Sequence, residues 1–287
     1  MADQISLKSL HQEFVNFLNG QRRAHATILA YGKDIDQLVT FLDNVGRKAI
    51  TEITKDDLEA FTNKLSKDGY TPKSVSRKIN SIKTFYRFLK NNNYITLNPA
   101  TEIKHPKYEI KPPRFLSKME YRALRDACRG DTRIYAIVEL FLQTGLRIGE
   151  LASITLEDIK EKELLVKDPS DNMARSVPLN KAAKQALDNY LKIRPPTEQK
   201  ILFVTKSGKP LLIRNIRTSI DRYFRIAGIQ EAKINDLRHT FIAHHLASGT
   251  PITMISKIVG HKRVSTTEKY LNLVKERGKE NVHLEEL

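Results

Sequence analysis

The sequence is poor in cysteine and has no long apolar run. Its 287 residues include one cysteine, Cys128, so an intramolecular disulfide is excluded and a reducing, cytoplasmic compartment is predicted. Nowhere does the chain approach the roughly 18 consecutive apolar residues that mark a membrane helix. Residues 1–4 do not begin a basic segment followed by an apolar one. We therefore expect neither a membrane span nor a secretory signal.

Internal repeats, low-complexity tracts and metal-ligand spacings are missing as well. His244 and His245 lie on an amphipathic segment, but no third ligand accompanies them at a spacing typical of zinc sites. Packing explains these two histidines better than ligation does, so no metal site is predicted. Cys128 follows an apolar helical pattern, which indicates a buried structural thiol rather than a nucleophile.

Acidic residues are outnumbered by basic ones. The chain holds 49 Lys+Arg against 33 Asp+Glu, a net charge of +16 with a pI of about 9.8. A protein that meets a polyanion tolerates such self-repulsion most easily. Nucleic acid is the first candidate, an acidic membrane surface the second, and adaptation to a salty or hot interior the third. Residues 1–110 carry +5 (17 against 12) and the remainder +11 (32 against 21), so both halves are candidates for DNA contact.

The length and composition predict two soluble globular domains, with 40% hydrophobic and 29% charged residues. Apolar residues at helical spacing predict four helices in the first hundred residues. Thr54 and Asp57 form a predicted capping box, and Thr71 caps the fourth helix with Pro72 at its first position. These short-linked helices predict a compact bundle as a first domain, residues 1–103.

The polar face of the predicted fourth helix is basic. It carries Lys73, Arg77, Lys78, Lys83 and Arg87. The pattern fits a face that contacts DNA about as well as it fits an ordinary solvated face, and both interpretations stay open. We treat these five residues as candidates for DNA binding, because cationic side chains on one helix face can follow a phosphate backbone.

A basic linker is predicted at residues 104–114, where prolines exclude a regular helix. The second domain, residues 115–287, begins with a capping box of Ser117 and Glu120 and continues with helices. Residues 163–167 and 175–179 predict a hairpin with a loop at 169–172, and residues 201–204 predict a third strand. From about residue 212 the pattern is helical, with a C-terminal tail at 275–287.

Three segments of the second domain place arginine, histidine and tyrosine in a pattern suited to phosphoryl transfer. Phosphodiester exchange without a metal needs a nucleophile, cations on the non-bridging oxygens, and an acid for the leaving oxygen. Arginine suits the second role, because its fork donates two hydrogen bonds to phosphate and stays charged. The segments are Thr144-Gly145-Leu146-Arg147-Ile148-Gly149-Glu150-Leu151, Asn235-Asp236-Leu237-Arg238-His239-Thr240, and Val259-Gly260-His261 with Ser265-Thr266-Thr267-Glu268-Lys269-Tyr270.

These segments resemble the motifs of the tyrosine recombinase (integrase) family, most closely its Xer-type members. Tyr270 follows His261 by nine residues, and His261 follows Arg238 by 23. One motif would be weak, but three in order with this spacing are highly specific. The resemblance covers nearly the whole chain. It implies a mainly α fold, with a four-helix core-binding domain and an α+β catalytic domain that contains a small β-sheet.

The resemblance implies a role for each matching residue. Tyr270 resembles the nucleophile, which forms a 3′-phosphotyrosyl link and frees a 5′-hydroxyl. Arg147 and Arg238 resemble the pair that clamps the scissile phosphate, and His261 the histidine that hydrogen-bonds to it. Lys167, at the end of the first predicted strand, is the residue we expect to protonate the leaving 5′-oxygen. The phosphotyrosine conserves bond energy, so no cofactor is implied, neither ATP nor a divalent metal.

Two positions depart from the family pattern. Asn235 stands where the family usually has histidine, and an amide cannot accept a proton at neutral pH. Either the base is dispensable, or a neighbour such as Lys233 or His239 takes part. The second departure is in the hairpin. Counted back from Pro178, Arg175 fits the family pattern, whereas Lys167 lies about three residues too far upstream.

The implied activity is site-specific recombination by a tetramer on two double-stranded DNA sites, through a Holliday junction. Resolution of chromosome or plasmid dimers is the expected biological role, and integration of a virus or mobile element is the alternative. The segment after Tyr270 could pack into a neighbouring protomer or fold on its own domain. Two other classes stay open: a catalytically silent DNA-binding protein, which the Asn235 departure favours, and a type IB topoisomerase, which the small size disfavours.

Overall fold

The computed structural model describes residues 6–21, 23, 25–109, 111–167 and 174–280, with side chains of the last helix described as far as Val274. The chain divides into two compact units, residues 1–110 and 111–287. The division falls within the predicted linker, where the described residues form no helix or strand. No helix in these ranges is both long enough and apolar enough to cross a membrane.

In the described part of the first unit, four α-helices surround one core. They are α1 (Leu7–Gly20), α2 (His25–Asn44), α3 (Lys55–Lys67) and α4 (Pro72–Asn91). The predicted starts of α3 and α4 are confirmed, because the Thr54–Asp57 capping box forms and the Thr71 side chain accepts the Ser74 N–H. Phe14 on α1 packs against Phe85 and Phe88 on α4, which ties the first helix to the last.

A buried carboxylate changes the interpretation of the basic face of α4. Asp34 on α2 is almost fully buried and accepts hydrogen bonds from Arg77, from Lys78 Nζ at 2.8 Å and from Ser81 Oγ at 2.7 Å. Lys78 is only 6% exposed, so the prediction that it lies on the exposed polar face of α4 is wrong. The cause is Asp34, a buried anion that needs a cation beside it.

The other candidate cations of α4 differ in their surroundings. Arg77 keeps nearly half of its side chain exposed while it binds Asp34. Lys83 donates to the Thr101 carbonyl at 3.3 Å. Lys73 and Arg87 are exposed. Among these five candidates the exposed positive charge is therefore carried by Lys73, Arg77 and Arg87, with Lys83 partly exposed.

Replacing Asp34 with alanine should destabilise the first unit by about 3 kcal/mol, since it leaves Lys78 buried without its carboxylate. Asp36→Ala, two residues along the same helix at an exposed position, is the matched control and should have little effect. Urea unfolding of the full chain, followed by hydrogen exchange of α2 and α4 peptides, measures both. Equal stabilities of the two variants would contradict a structural role for the Asp34 network.

The second unit is mainly helical with one hairpin. Its elements are α5 (Lys118–Cys128), α6 (Thr132–Thr144), α7 (Ile148–Ser153), β1 (Glu163–Lys167), β2 (Ala174–Pro178), α8 (Lys181–Ile193), α9 (Ile213–Ile226), α10 (Ile234–Ala247), α11 (Ile252–Val259) and α12 (Ser265–Glu280). The capping box of Ser117 and Glu120 forms at the start of α5. Strands β1 and β2 pair antiparallel, with Glu163 opposite Pro178 and Lys167 opposite Ala174. The predicted loop at 169–172 lies outside the described residues.

The predicted third strand at 201–204 does not form a regular strand. Ile201 makes an isolated bridge with Thr155, and Val204 makes another with Pro210. The two ends of the segment therefore pair with different stretches of chain. The Val204 bridge belongs to a tight turn, which is closed by hydrogen bonds from the Thr205 N–H to the Lys209 carbonyl and from the Leu211 N–H to the Phe203 carbonyl. The sheet of the described residues consists of β1 and β2 alone.

Two packed clusters place the motif segments. Helix α6 is buried and packs against α5, α8 and α10. A smaller core joins α10, α11 and α12 through Phe241, Leu246, Ile255, Val259 and Tyr270. Because α10 takes part in both contacts, the second and third motif segments are held against the end of α6, where the first begins.

Candidate active site

The first motif segment forms a tight helix-to-helix turn. Gly145 ends α6 in the left-handed region at φ 63°, and a Cβ there would lie 2.5 Å from the Phe241 ring. Glycine is therefore required by conformation and by space. Arg147 is the N-cap of α7, and Glu150 in the first turn accepts both its backbone N–H at 2.7 Å and its guanidinium at 2.6 Å. The turn and Glu150 together fix the position of the Arg147 side chain at the start of α7.

The two predicted clamp arginines are anchored to backbone carbonyls of the other motif segments. Arg238 on α10 donates to the Gly145 carbonyl at 2.6 Å and to the Val259 carbonyl at 2.7 Å. Arg147 donates to the Gly260 carbonyl at 2.6 Å. Residues more than 90 positions apart in sequence are thereby joined at the end of α11. Both guanidinium groups lie beside the segment that carries His261.

A third arginine, Arg175 on β2, belongs to the same cluster. It donates through both Nη atoms to the Glu150 carboxylate at 2.9 Å and through Nε to the Ile258 carbonyl at 2.7 Å. Gly260 has a φ of +68°, and a Cβ there would lie 2.9 Å from this guanidinium, so a larger residue would be strained and would displace Arg175. Arg175 was not among the site residues predicted from the sequence, although its position three residues before Pro178 fits the family pattern.

Glu150 is the common anion of this cluster. Its side chain is 1% exposed, with Arg147 at 2.6 Å, Arg175 at 2.9 Å and Arg238 at 4.0 Å. Burial alone would raise the pKa of Glu150, but hydrogen bonds from Arg175 and the Arg147 backbone hold it below its ordinary value. Three positive charges and one negative charge give these four residues a net charge of +2. Such a cluster attracts an anion such as phosphate.

The buried arginine stays charged despite its surroundings. Arg238 is 7% exposed, and burial followed by repulsion from Arg147 lowers its pKa to about 10. At neutral pH the guanidinium is therefore still protonated. A bound phosphate would relieve this repulsion, because it supplies negative charge between cations that the fold holds close together.

His261 follows directly on α11. Gly260 ends that helix at φ 68°, and the His261 N–H donates to the Ser256 carbonyl at 2.9 Å. Its ring Nδ1 lies 2.8 Å from the Thr267 hydroxyl on α12. Burial, then the charges of Arg238 and Arg147, lower the pKa of His261 to about 4. The imidazole is therefore neutral at physiological pH.

Tyr270 lies on α12 with only 7% of its surface exposed. Its ring packs with Phe241 and Val259 and lies 5.8 Å from the His239 ring, centroid to centroid. Burial raises the pKa of Tyr270, and the Arg238 charge only partly opposes this shift. The hydroxyl is protonated at neutral pH, so any nucleophilic role requires loss of that proton during the reaction.

Asn235 and Lys167 are the two remaining predicted site residues. Asn235 is exposed in the first turn of α10, three residues before Arg238. Lys167 pairs with Asp158 at 3.0 Å while more than half of its side chain stays exposed. The bond described for Lys167 is this pair with Asp158, and none is described to Arg147, Arg238 or His261. Its role as the acid stays a prediction.

The segment that follows Tyr270 folds, where it is described, on its own unit. Leu271 and Val274 pack against the small core of α10, α11 and α12. Residues 281–287, the end of the predicted C-terminal tail, lie outside the described residues.

The Glu150→Gln substitution should destabilise the second unit by about 3 kcal/mol, because three guanidinium groups lose their shared anion. Glu157→Gln is the control, since Glu157 pairs with Lys200 on the surface, where both side chains are more than two-thirds exposed. We expect the control to unfold like the wild type. Urea unfolding of the full chain, read by hydrogen exchange in α7 and β2, measures both.

The loss of stability caused by Glu150→Gln should depend on pH. Because the folded-state pKa of Glu150 is below the ordinary 4.5, the wild type gains stability from ionised Glu150 above that value. This contribution is lost as the pH falls from 4.5 through the lowered folded-state pKa. The difference between the two proteins should therefore narrow in acid. A difference that stays constant across that range would show that charge is not what Glu150 contributes.

Comparison with known proteins agrees with this geometry. The profile of the phage integrase family matches residues 114–277, and that of the phage integrase N-terminal SAM-like domain matches residues 11–93. The chain belongs to the phage integrase family and is a tyrosine site-specific recombinase of the Xer-like kind. The predicted fold class, a helical first domain and a mainly α catalytic domain with a small sheet, is confirmed.

Curated relatives match almost end to end. Tyrosine recombinase XerC of Staphylococcus haemolyticus is 31% identical over 277 residues, which cover 93% of this chain and 93% of that protein. The XerC protein of Listeria welshimeri is 30% identical, with 93% and 94% covered.

Solved structures match over a similar length. A crystal structure of XerA recombinase matches with 28% identity and a TM-score of 0.54, covering 97% of this chain and 99% of that one. A lambda integrase dimer bound to a COC′ core site shares the fold, at 19% identity with a TM-score of 0.75, covering 91% of this chain and 97% of that one.

Proposed function

We propose that this recombinase cuts one DNA strand at a specific site by attack of Tyr270 on the scissile phosphate. The observation that carries the proposal is the anchoring of Arg147 and Arg238 to the Gly260 and Val259 carbonyls, directly before His261. This anchoring supports a preformed phosphate site. Tyr270 lies on α12, which packs against α10 and α11, and the charge of Arg238 opposes the rise that burial causes in the pKa of Tyr270.

The chemistry follows from these positions. The Tyr270 oxygen forms a bond to phosphorus, the bond from phosphorus to the 5′-oxygen breaks, and a 3′-phosphotyrosine remains. Charge that develops on the non-bridging oxygens is met by Arg147 and Arg238, which the fold holds in place beforehand. His261 adds a hydrogen bond to the same phosphate. The leaving 5′-oxygen takes a proton, for which Lys167 at the end of β1 is our candidate.

The proton of Tyr270 needs an acceptor other than Asn235, because an amide does not take a proton at neutral pH. His239 fits this role better than Lys233. Its Nδ1 lies 2.9 Å from the Arg114 carbonyl, which accepts a hydrogen bond and so favours a bare Nε2. Its ring also lies 5.8 Å from that of Tyr270.

We further propose that a tetramer acts on two double-stranded sites, exchanges strands through a Holliday junction and resolves dimers of circular DNA in the cytoplasm. The XerC relatives, matched over nearly their full length, support this role over integration of a mobile element. A lambda integrase tetramer bound to a Holliday junction is among the structures of the same fold. In the first unit, Lys73, Arg77 and Arg87 are our candidates for contacts to the duplex.

A recombination assay tests this function. DNA that co-purifies with the protein from cells is sequenced to find the site, and plasmids carrying one or two copies of that site are then incubated with the protein. The proposal expects resolved products only from the two-site plasmid. Supercoil relaxation of the one-site plasmid without any resolved product would favour a topoisomerase. Binding without strand cleavage on either plasmid would favour a silent DNA-binding protein.

A further inference from the structure

Thr267 is a fully buried hydroxyl residue on the helix that carries Tyr270. Its side chain is 0% exposed, and its Oγ1 lies 2.8 Å from the Nδ1 of His261. It precedes Tyr270 by three residues, so both side chains lie on one side of α12. A buried hydroxyl is retained where it has a hydrogen-bond partner, and the described partner of Thr267 is His261.

The direction of this hydrogen bond decides what His261 can do. A neutral imidazole carries one proton, so one ring nitrogen donates and the other accepts. A phosphate oxygen only accepts, so the nitrogen that meets it must carry the proton. With Nδ1 occupied by Thr267, Nε2 is the nitrogen left for the substrate. Nε2 carries the proton only if Nδ1 is the acceptor and the Thr267 hydroxyl is the donor.

We infer that Thr267 is a positioning residue: its hydroxyl donates to His261 Nδ1 and fixes the tautomer whose Nε2–H donates to the scissile phosphate. This inference rests on the proposed function of His261. The same bond joins α12 to the phosphate-binding end of α11. A displacement of α12 that withdraws Tyr270 would therefore also release His261 from its fixed tautomer.

Two substitutions at this position separate the hydroxyl from the rest of the side chain. Thr267→Val keeps the shape and removes the donor, whereas Thr267→Ser keeps the donor and removes a methyl group. In single-turnover cleavage of a nicked duplex carrying the site, Thr267→Val should be slower by about tenfold, the worth of one lost hydrogen bond. Thr267→Ser should cleave at a rate within about threefold of the wild type, because it keeps the hydrogen-bond donor.

The tautomer is measured directly, without DNA, by long-range proton–nitrogen NMR of the full chain. The spectrum is recorded well above the His261 pKa of about 4, and the His261 signals are those missing from His261→Gln. The wild type and Thr267→Ser should show the proton on Nε2. Thr267→Val should show a mixture of tautomers. In a His261→Gln background, Thr267→Val should cause no further loss of cleavage.

Several outcomes would overturn the inference. They are a wild-type proton on Nδ1, wild-type cleavage by Thr267→Val, or an equal loss from Thr267→Val when His261 is already replaced. If Thr267→Val does not fold, the wild-type and Thr267→Ser spectra still decide the tautomer. Failure of the proposed function looks different, since the wild type would then form no covalent product while its tautomer could still be the expected one.

Discussion

Replacing Tyr270 with phenylalanine should abolish recombination, with strand cleavage falling by roughly 10⁴-fold or more, as expected when a covalent nucleophile is removed. Phenylalanine lacks the oxygen that bonds to phosphorus but keeps the ring. That ring is part of the core formed with Phe241 and Val259, so the fold should persist. Single-turnover cleavage of a nicked duplex and two-site plasmid resolution measure the loss.

Tyr223→Phe is the matched control for this substitution. Tyr223 lies in the same unit and is 7% exposed, the same fraction as Tyr270. Its hydroxyl accepts a hydrogen bond from the neighbouring Arg222 at 3.2 Å and donates a long one to Asp131 at 3.5 Å, and both partners lie outside the arginine cluster. Cleavage by Tyr223→Phe should therefore match the wild type. Appreciable cleavage by Tyr270→Phe would assign the nucleophile to another residue.

Replacing Arg238 should have the second-largest effect. Arg238→Ala is expected to slow cleavage by roughly 10²–10³-fold, the usual cost of losing one preorganised donor to a developing negative charge. Arg238→Lys keeps the charge, but a single ammonium cannot reproduce the planar fork that donates to the Gly145 and Val259 carbonyls. We expect the lysine variant to be impaired nearly as strongly as the alanine variant.

Binding and cleavage must be measured separately for Arg238. Fluorescence anisotropy with an intact duplex should show site binding within a few-fold of the wild type, because many other cations contribute to affinity. Arg129→Lys, at a side chain that is 80% exposed, is the control and should cleave normally. Full activity of Arg238→Lys would mean that charge alone is needed at this position, contrary to the clamp geometry.

Local signals in the sequence were sufficient to predict the helices and to locate the motif segments. The capping pair of Ser117 and Glu120 marks the start of α5, and Gly145 and Gly260 mark helix ends. These features depend on neighbours within a few residues, which the sequence displays directly. The predicted third strand does not form because Ile201 and Val204 pair with different stretches of chain, which a local β-like pattern does not encode.

Long-range ionic contacts could not be predicted in the same way. Lys78 looked like a surface lysine because its partner, Asp34, lies 44 residues away on another helix. Arg175 meets Glu150 from a different element 25 residues away. In both cases a buried carboxylate selects its cation through tertiary packing, and no local pattern encodes that choice.

The most direct test of the central claim is to identify the residue joined to DNA. A nicked duplex carrying the site, which loses the short 5′-terminated fragment on cleavage, traps the covalent intermediate. Proteolysis and mass spectrometry of the trapped complex then locate the nucleotide adduct. We expect the DNA 3′-phosphate on the tyrosine of the peptide Ser265-Thr266-Thr267-Glu268-Lys269-Tyr270. An adduct on any other residue, or no adduct from the active wild type, would contradict this account.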